Sequence, residues 1–451
     1  MHSRQRTYHK ASRRATVAAT LLAVAAGPAV SGGDPPVTLA ALWALALAGN
    51  PELAAARQAA ARRAAALGQA RAERGALLAL DARAGTISER QEVEIPAGVI
   101  DADPRSFAVG RREQLDTGVT LRQALYSGGA IAGQIRLAAL ASDMAQQRSR
   151  LQCEDVCLGL VRTAVALTKA RGERAVLEDA AQQAQACLHQ AEAFEAQGLA
   201  ARMDVLEAQI RAGDVARARA AAAQAAESAQ ALLNRLLGRA LDTPVPAVDW
   251  GPNPAAVAPL DDCRRTALEQ RPERRVAQAL VAQARAGVGL ARSAYQPKLG
   301  VALGYHYGNP HSLTGDLEPY WDANVAATWT LWDTGRTRQS VRQAARAVDE
   351  TEALLRGQEQ QIALEVYAAY RQWEERQDSL TSLAASRAKA REVLRLAQER
   401  FAAGDGRIAA VLEAQWLRAS TENACENARM DVTLARLELL HAMGVLSAAL
   451  P

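Results

Sequence analysis

The residue types that usually carry catalysis occur in this chain without the spacing that would let them work together. Its six histidines (His2, His9, His189, His306, His311 and His441) are scattered along 451 residues, and no His-Glu-x-x-His, Cys-x-x-Cys or phosphate-loop spacing occurs. Gly287-Val288-Gly289 is an isolated Gly-x-Gly inside a helical pattern. Five cysteines (Cys153, Cys157, Cys187, Cys263 and Cys425) are too few and too dispersed for a disulfide framework, and their odd number precludes complete pairing. Cys153 and Cys157 stand one helical turn apart, close enough to touch, although burial as small apolar side chains fits them better. No catalytic residue, cofactor or metal is expected, so energy for any transport has to come from a partner. What remains is a set of spaced carboxylates. Val205-Leu206-Glu207-Ala208-Gln209 returns as Val411-Leu412-Glu413-Ala414-Gln415, 206 positions later, and each copy follows a glycine turn, Gly198 in the first and Gly404-Asp405-Gly406 in the second. Glu207, its neighbour Asp204 and Glu413 thus stand near helix N-termini, where the helix dipole favours negative charge even on an ordinary solvated surface.

The elements that position these acids also come in two copies. Leu125-Tyr126-Ser127-Gly128-Gly129 is echoed by Leu331-Trp332-Asp333-Thr334-Gly335 at the same 206-residue offset. Asn50-Pro51-Glu52-Leu53 is echoed more loosely by Arg271-Pro272-Glu273-Arg274, 221 residues on. Within each copy a helix meets two alternating segments and then a pair of longer helices, which suggests a long tube closed at one end by a small barrel. The implied organisation is a secretory signal over residues 1–31, a first unit over 32–238, a Pro-rich connector over 239–260 and a second unit over 261–451.

Composition fits such a tube. Aromatic residues make up 4% of the chain and alanine is very frequent, which suits long helices packed through small residues rather than several compact cores. The formal charge of +4 comes from the N-terminus, where Arg4, Arg6, Lys10, Arg13 and Arg14 are accompanied by no acid through residue 31. Without those five, 48 basic residues face 49 acidic ones, a net of −1, and nothing supports a nucleic-acid partner. The basic stretch to Arg14, the uncharged run from Ala15 to Val30 and the small residues at Ser31–Gly33 have the form of a secretory signal. A single membrane anchor is the alternative, but the run contains Pro28 and falls short of the ~20 residues a spanning helix needs. Beyond it no apolar run reaches ~18 residues, so a mature chain that crosses a membrane has to do so as strands.

Periodicity assigns the elements. Val37–Arg74 is helical, interrupted at Asn50-Pro51. Leu78–Ser88 is a strand candidate, Glu89–Arg105 a loop, and Ser106–Leu121 a strand with Phe107, Val109, Leu115, Val119 and Leu121 on one face. Helices are expected from Ile131 to Leu188, from Arg202 to Leu237 and, unbroken, from Leu260 to Ser293. After Pro297, Leu299, Val301, Leu303, Tyr305 and Tyr307 alternate with Gly300, Ala302, Gly304, His306 and Gly308. Trp321, Ala323, Val325, Ala327, Trp329 and Leu331 then alternate with Asp322, Asn324, Ala326, Thr328 and Thr330. Such strands fit a membrane barrel, with Phe107, Tyr305, Tyr307, Trp321 and Trp329 as the lipid-facing candidates. A half-buried strand in a soluble sheet has the same period, and the strands alone do not choose. From Asp333-Thr334-Gly335 a helix runs to Ala402, about 100 Å at ~1.5 Å per residue. Its apolar seam includes Val341, Val348, Leu355, Ile362 and Val366 and is interrupted by Glu352 and Glu359. A return helix covers Ile408 to Met443.

Taken in order, these residues resemble the TolC-like outer-membrane efflux and secretion channels. The motifs are the two strand-to-helix turns at Leu125–Gly129 and Leu331–Gly335, the second continued by Arg336; Gln296-Pro297 before the third strand; and the two Val-Leu-Glu-Ala-Gln segments past hairpin turns. The resemblance covers nearly all of the mature chain. It implies a mainly α fold with a small β part, in which antiparallel coiled-coil helices form a periplasmic α-barrel. Four strands from each chain of a homotrimer would join one shared twelve-strand transmembrane β-barrel in the lipid of the outer membrane. The implied activity is that of a passive exit duct, not an enzyme, whose partners are a periplasmic adaptor and an inner-membrane transporter. Some members serve drug efflux and others one-step (type I) protein secretion, toxin export included; the sequence does not choose between protein and small-molecule cargo. In the family, acids beside the Val-Leu-(acid)-Ala motif ring the tunnel entrance, and the matching residues here are Asp204, Glu207 and Glu413, with Ala410 where some relatives carry another acid. Threefold repetition of such acids favours cations and repels anions. Arg407 is placed to hold the closed state by a salt bridge, and the tips Gly198, Leu199, Gly404, Asp405, Gly406 and Ile408 are the implied adaptor contacts. The competing reading, a soluble periplasmic coiled-coil adaptor or scaffold, calls for one helix hairpin between lipoyl-like β segments rather than a doubled unit with four strands.

Overall fold

A computed structural model describes residues 35–449 apart from 90, 97, 100–102, 104, 198–200, 252–256, 310, 311, 313 and 403–407. The signal expected over 1–31 lies outside the described residues. The chain opens with a short strand, β1 (Val37–Thr38), then α1 (Leu39–Gly49) and α2 (Pro51–Ala72). Four strands follow: β2 (Leu77–Thr86), β3 (Gln91–Ile95), β4 (Arg105–Val109) and β5 (Glu113–Tyr126). Next come the long α3 (Ala130–Ala196), α4 (Arg202–Leu237) and β6 (Val248–Asp249), which pairs in parallel with β1. The second half runs α5 (Leu260–Gln270), α6 (Pro272–Arg292), a 3-10 turn, β7 (Lys298–Gly308), β8 (Glu318–Thr328), α7 (Arg336–Ala402), α8 (Ile408–Ala442) and α9 (Leu446–Ala449). The two long helices, α3 and α7, are each 67 residues and begin 206 positions apart.

Local chemistry explains the helix breaks. Asn50 is 3% exposed; its Oδ1 accepts from the backbone N–H of Glu52 and Leu53 (2.8 and 3.0 Å), and its Nδ2 donates to the Leu236 carbonyl at 2.8 Å. It therefore caps α2 and ties the bend to α4, while Pro51 occupies the first helical position, where its missing N–H costs nothing. The helix expected without interruption over Leu260–Ser293 breaks in the same way. Pro272 starts α6 and forces Arg271 into an extended conformation (ψ 126°). The bent pair α1–α2 has the length and composition of a broken membrane span, with a 55° bend. However, Leu42, Trp43 and Ala46 of α1 are buried against α3 and α4, so this apolar face is already packed against protein. No single described helix is long and apolar enough to cross a membrane.

Two further expectations are corrected. The loop expected over Glu89–Arg105 contains β3 and the start of β4, which pair antiparallel as a separate two-stranded sheet. The strand expected over Ser106–Leu121 is two strands. Gly110, with φ 76°, turns the chain between β4 and β5, so Phe107 pairs with Val93 on the small hairpin rather than joining the larger sheet. The turn preserves odd–even parity, which hid it from a period-2 reading.

Two apolar cores, chiefly of leucine and valine, hold the helices together. One core joins Leu42 and Leu53 to Leu160 and Val161 of α3, Leu233 and Leu237 of α4, and Leu446. A second joins Cys263 and Ala267 of α5 to Ile362 and Val366 of α7 and Leu439 of α8. The acids that interrupt the α7 seam are both paired with α6: Glu352 with Arg285 at 2.7 Å and Glu359 with Arg274 at 2.8 Å. These groups are one-third exposed or more, except Arg274 at 30%, so each pair contributes at most about 1 kcal/mol and acts chiefly to fix the sliding of α6 along α7.

Candidate functional site

The strands β2, β5, β7 and β8 form one antiparallel sheet in the order β2-β5-β7-β8, with β2 and β8 as open edges. Register lines the side chains up in rows across all four strands. Leu80, Val119, Tyr305 and Trp321 make one row, and Leu78, Leu121, Leu303 and Ala323 the next. This face is apolar and bare: Leu80 is 76% exposed, Trp321 74% and Val325 71%, contiguous large apolar side chains of the kind that mark a surface meeting protein or lipid. Trp329 lies one residue past β8 and donates its Nε1–H to the Tyr295 carbonyl at 3.0 Å. With exposed Trp332, Tyr126 and Tyr295 it forms an aromatic group at the helix end of the sheet, opposite Tyr305, Tyr307 and Trp321 at the far end.

The other face is polar and ordered. His306 is only 15% exposed in its side chain, with Nε2 at 3.1 Å from Asp322 and Nδ1 at 3.3 Å from Asp116. The Nδ1 contact is not in line for a hydrogen bond. Tyr320 stacks on the imidazole (centroids 5.0 Å apart, planes 12° apart) and its hydroxyl donates to Asp116 at 2.8 Å. Gly118 and Gly304 form the floor beneath the ring; a Cβ at either would come within 2.4 Å of an imidazole nitrogen. Thr120 donates to Asp81, which also lies 3.7 Å from Arg122. The sequence reading placed His306 among scattered histidines and missed this cluster. The signal was its position on the same parity as Asp322 across the next strand.

Each strand-to-helix corner that joins this sheet to the long helices uses two left-handed residues, Gly128 and Gly129 before α3 and Thr334 and Gly335 before α7. Thr334 is the one non-glycine with positive φ among the described residues, at 56°. Asp333 holds that corner by accepting from the Gly335 and Thr337 N–H groups (3.0 and 2.8 Å) and from the Thr337 hydroxyl. Ser127 does the same more weakly, accepting from Ile131 N–H at 3.3 Å. A side chain at Gly128 would strike Gln296 Cβ at 2.5 Å, so the first corner packs directly on the Gln296-Pro297 segment that opens β7.

At the opposite end of the helices, Gly198, Leu199, Gly404, Asp405, Gly406 and Arg407 lie outside the described residues. Asp204 stands in the first turn of α4 and Ile408 begins α8. Glu207 and Glu413 are exposed, while Val205 and Ala414 of the same motif are buried, so the repeated pentapeptide turns its small apolar residues inward and its acid outward. Neither Glu207 nor Glu413 has a side-chain hydrogen bond or ion pair among the described residues, and the structure does not bring the two together. Arg202 reaches back to Glu195 at 3.3 Å across the α3–α4 tip. No group of three or more His, Cys, Asp or Glu among the described residues is arranged to hold a metal.

An open sheet, lipid-like on one side and polar on the other, carried on two helical hairpins, narrows the possible families sharply. The profile of the outer membrane efflux proteins matches residues 42–239 and 264–445. The chain belongs to the outer membrane efflux protein family. Among solved structures it is similar to the outer-membrane channel OprN, with 19% identity over 93% of this chain and 98% of that one and a TM-score of 0.71. It is similar also to the outer membrane protein VceC from Vibrio cholerae (18%, 90% and 96%, 0.71) and to the CmeC outer membrane channel of Campylobacter jejuni (16%, 93% and 91%, 0.75). At these identities the likeness establishes the fold. No curated protein matches the chain significantly. The outer membrane efflux proteins are channels rather than enzymes, in keeping with the dispersed histidines and cysteines of this member.

Proposed function

We propose that three copies of this chain assemble into a passive exit duct in the outer membrane, fed by an inner-membrane transporter through a periplasmic adaptor. The observation that carries this reading is the four-stranded sheet, open at β2 and β8, apolar on one face and polar on the other. In lipid each unpaired edge N–H or C=O costs several kcal/mol, so an open sheet cannot remain there. Pairing β8 of one copy with β2 of the next removes every edge. Two copies would give eight strands, a barrel whose interior is filled by its own side chains; three give twelve and leave a lumen. The apolar rows then face lipid. Trp321 and Trp329 are eight residues apart, ~26 Å along the strand at ~3.3 Å per residue, or ~20 Å across the membrane at a tilt of ~40°. Tyr307 and Trp332 extend that span toward the ~25 Å apolar band of such barrels. Phe107, on the β3–β4 hairpin, stands outside this band.

The helices extend about 100 Å away from the barrel into the periplasm. At their tips Asp204, Glu207 and Glu413 ring the entrance, Arg407 holds the closed state, and Gly198, Leu199, Gly404, Asp405, Gly406 and Ile408 meet the adaptor. The exposed carboxylates of Glu207 and Glu413, which have no partner among the described residues, support this, because they are open to neighbouring copies or to cargo. The cargo is protein, as in type I secretion, or small molecules. Purified protein should give stepwise conductance in planar bilayers and cross-link to a trimer, and replacing Glu207 and Glu413 together by Gln should lower cation preference. A non-conducting monomer recovered from the soluble periplasmic fraction would refute the duct.

A further inference from the structure

The polar face of the sheet contains a feature that sealing a barrel does not require. His306 is clamped between two carboxylates, one facing each ring nitrogen, at 3.1 Å (Asp322) and 3.3 Å (Asp116). Glycines are unfavourable inside strands, yet Gly118 and Gly304 stand beneath the ring where any Cβ would collide with it, and Tyr320 covers it by stacking. The pocket is thus shaped to keep one imidazole flat against the wall. A neutral imidazole carries one N–H and no charge, whereas an imidazolium sets a positive charge within 3.3 Å of both carboxylates.

We propose that His306 is a specificity-determining residue of the duct, whose gain or loss of a proton resets the cation preference of the outer lumen. The inference rests on the reading that this polar face lines a lumen. The groups around the ring on this face are Asp81 and Arg83 on β2, Asp116 and Arg122 on β5, and Glu318, Tyr320 and Asp322 on β8. Four acids against two arginines leave a net of two negative charges per chain when the ring is neutral and one when it is protonated. Around three copies the fixed charge changes between six and three negative charges, a halving within one band of the wall. A ring of fixed negative charge concentrates cations and excludes anions, and the preference follows its magnitude. Acid outside the cell therefore makes the mouth more permissive to anions, and neutral or alkaline conditions make it more selective for cations.

The test uses the full-length trimer in planar bilayers under a KCl gradient, with pH varied from 5 to 8, the window in which imidazole changes charge, in the chamber facing the barrel. The potassium-to-chloride permeability ratio should rise across that window in the native protein as the fixed negative charge of the band increases. His306→Gln should hold the ratio near its high-pH value throughout. Asp322→Asn, which leaves the imidazole in place, should lower the ratio at pH 8 while retaining a rise with pH, and it keeps the test informative if His306→Gln does not assemble. A native ratio that is flat with pH, a His306→Gln protein that titrates like the native one, or an Asp322→Asn protein with native selectivity would each overturn the proposal. Absence of conductance from the native trimer would instead defeat the duct reading beneath it.

Discussion

Adjacent residues on β8 offer a direct test of which face meets lipid. Val325 lies on the apolar face, 71% exposed in the isolated chain and midway between Trp321 and Trp329, four residues from each. Asn324 lies on the polar face opposite Ala302, with its amide donating to Asp322. An arginine on the lipid face at the barrel midplane costs ~2–4 kcal/mol. Three copies of Val325→Arg would therefore remove ~6–12 kcal/mol from the trimer, about the whole stability of an ordinary domain. Asn324→Arg places the same side chain in water and should cost within ~1 kcal/mol, as surface substitutions usually do. Because strand side chains alternate, one residue separates a lethal site from a tolerant one. The assay is the temperature at which the trimer band dissociates on a heat-modifiable gel, with the denaturant midpoint of vesicle-inserted protein as a second reading. Val325→Arg should abolish the trimer band or lower its dissociation temperature steeply, and Asn324→Arg should leave it near native. Tolerance of both changes would mean that the sheet does not sit in lipid, and the reverse order would mean that the faces have been assigned backwards.

Three further outcomes concern the helices and the corner that joins them to the sheet. Arg271, 6% exposed, pairs with Glu273 at 2.7 Å and with Glu365, so Arg271→Met strands two carboxylates. A fully buried pair would lose ~3–5 kcal/mol; with Glu365 39% exposed, about 2 kcal/mol is expected by thermal unfolding at neutral pH. Burial pushes the Glu365 carboxyl up, but hydrogen bonds from Arg271 and Gln361 and the charges of Arg271 and His441 outweigh it and hold the group below its ordinary value. Its contribution is thus present at neutral pH and drains as pH falls through the carboxylate range, and the gap between native and Arg271→Met protein should narrow below about pH 4; a gap that widens in acid would contradict this pairing. Burial, with Glu154 and Cys153 nearby, pushes the Cys157 thiol up to about 12, so iodoacetamide at pH 8 should leave it unmodified until denaturant is added; fast labelling of the folded protein, read by mass spectrometry, would count against that burial. Gly128→Ala, at φ 63° and with a Cβ 2.5 Å from Gln296, should lower trimer stability by ~1–3 kcal/mol, whereas the same change at Gly68, a helical position with open space around it, should be neutral or slightly stabilising.

The sequence revealed most where periodicity was long and punctuation strong. Arg202–Leu237 was bounded correctly at both ends, whereas the helix expected to end at Leu188 continues to Ala196, because no glycine or proline interrupts the chain between Leu188 and Gly198. Strands β7 and β8 were legible from parity alone because one face is uniformly apolar. Errors arose where a turn left the period undisturbed. Gly110 separates β4 from β5 without changing parity, so Phe107 was assigned to the wrong sheet, and Arg271-Pro272 divides a pattern whose apolar spacing continues on both sides. The His306 cluster was hidden for another reason: its members are distant in sequence, Asp116 and Asp322 being 206 residues apart, and only cross-strand register makes them neighbours.

That 206-residue separation is the same offset that links the two copies, so the carboxylates flanking His306 occupy equivalent places in the doubled unit. The imidazole sits on β7, between the two carboxylate-bearing strands β5 and β8, and so at the seam between the copies. Duplication alone would have given matched acids on strands of both halves with no imidazole between them. A single histidine stands between that matched pair, with glycines beneath it on β5 (Gly118) and on its own strand (Gly304). The aromatic residues obey a related economy. Seven of the chain's 18 lie between Tyr295 and Trp332, while the helices pack through alanine and leucine. Bulky rings are sparse along the long helices, although Trp43 is buried among them, and small residues on the sheet would leave its lipid face without interfacial anchors. The aromatic residues are therefore dense on the short sheet, whose outer face has no protein to pack against, and thinly spread along the helices.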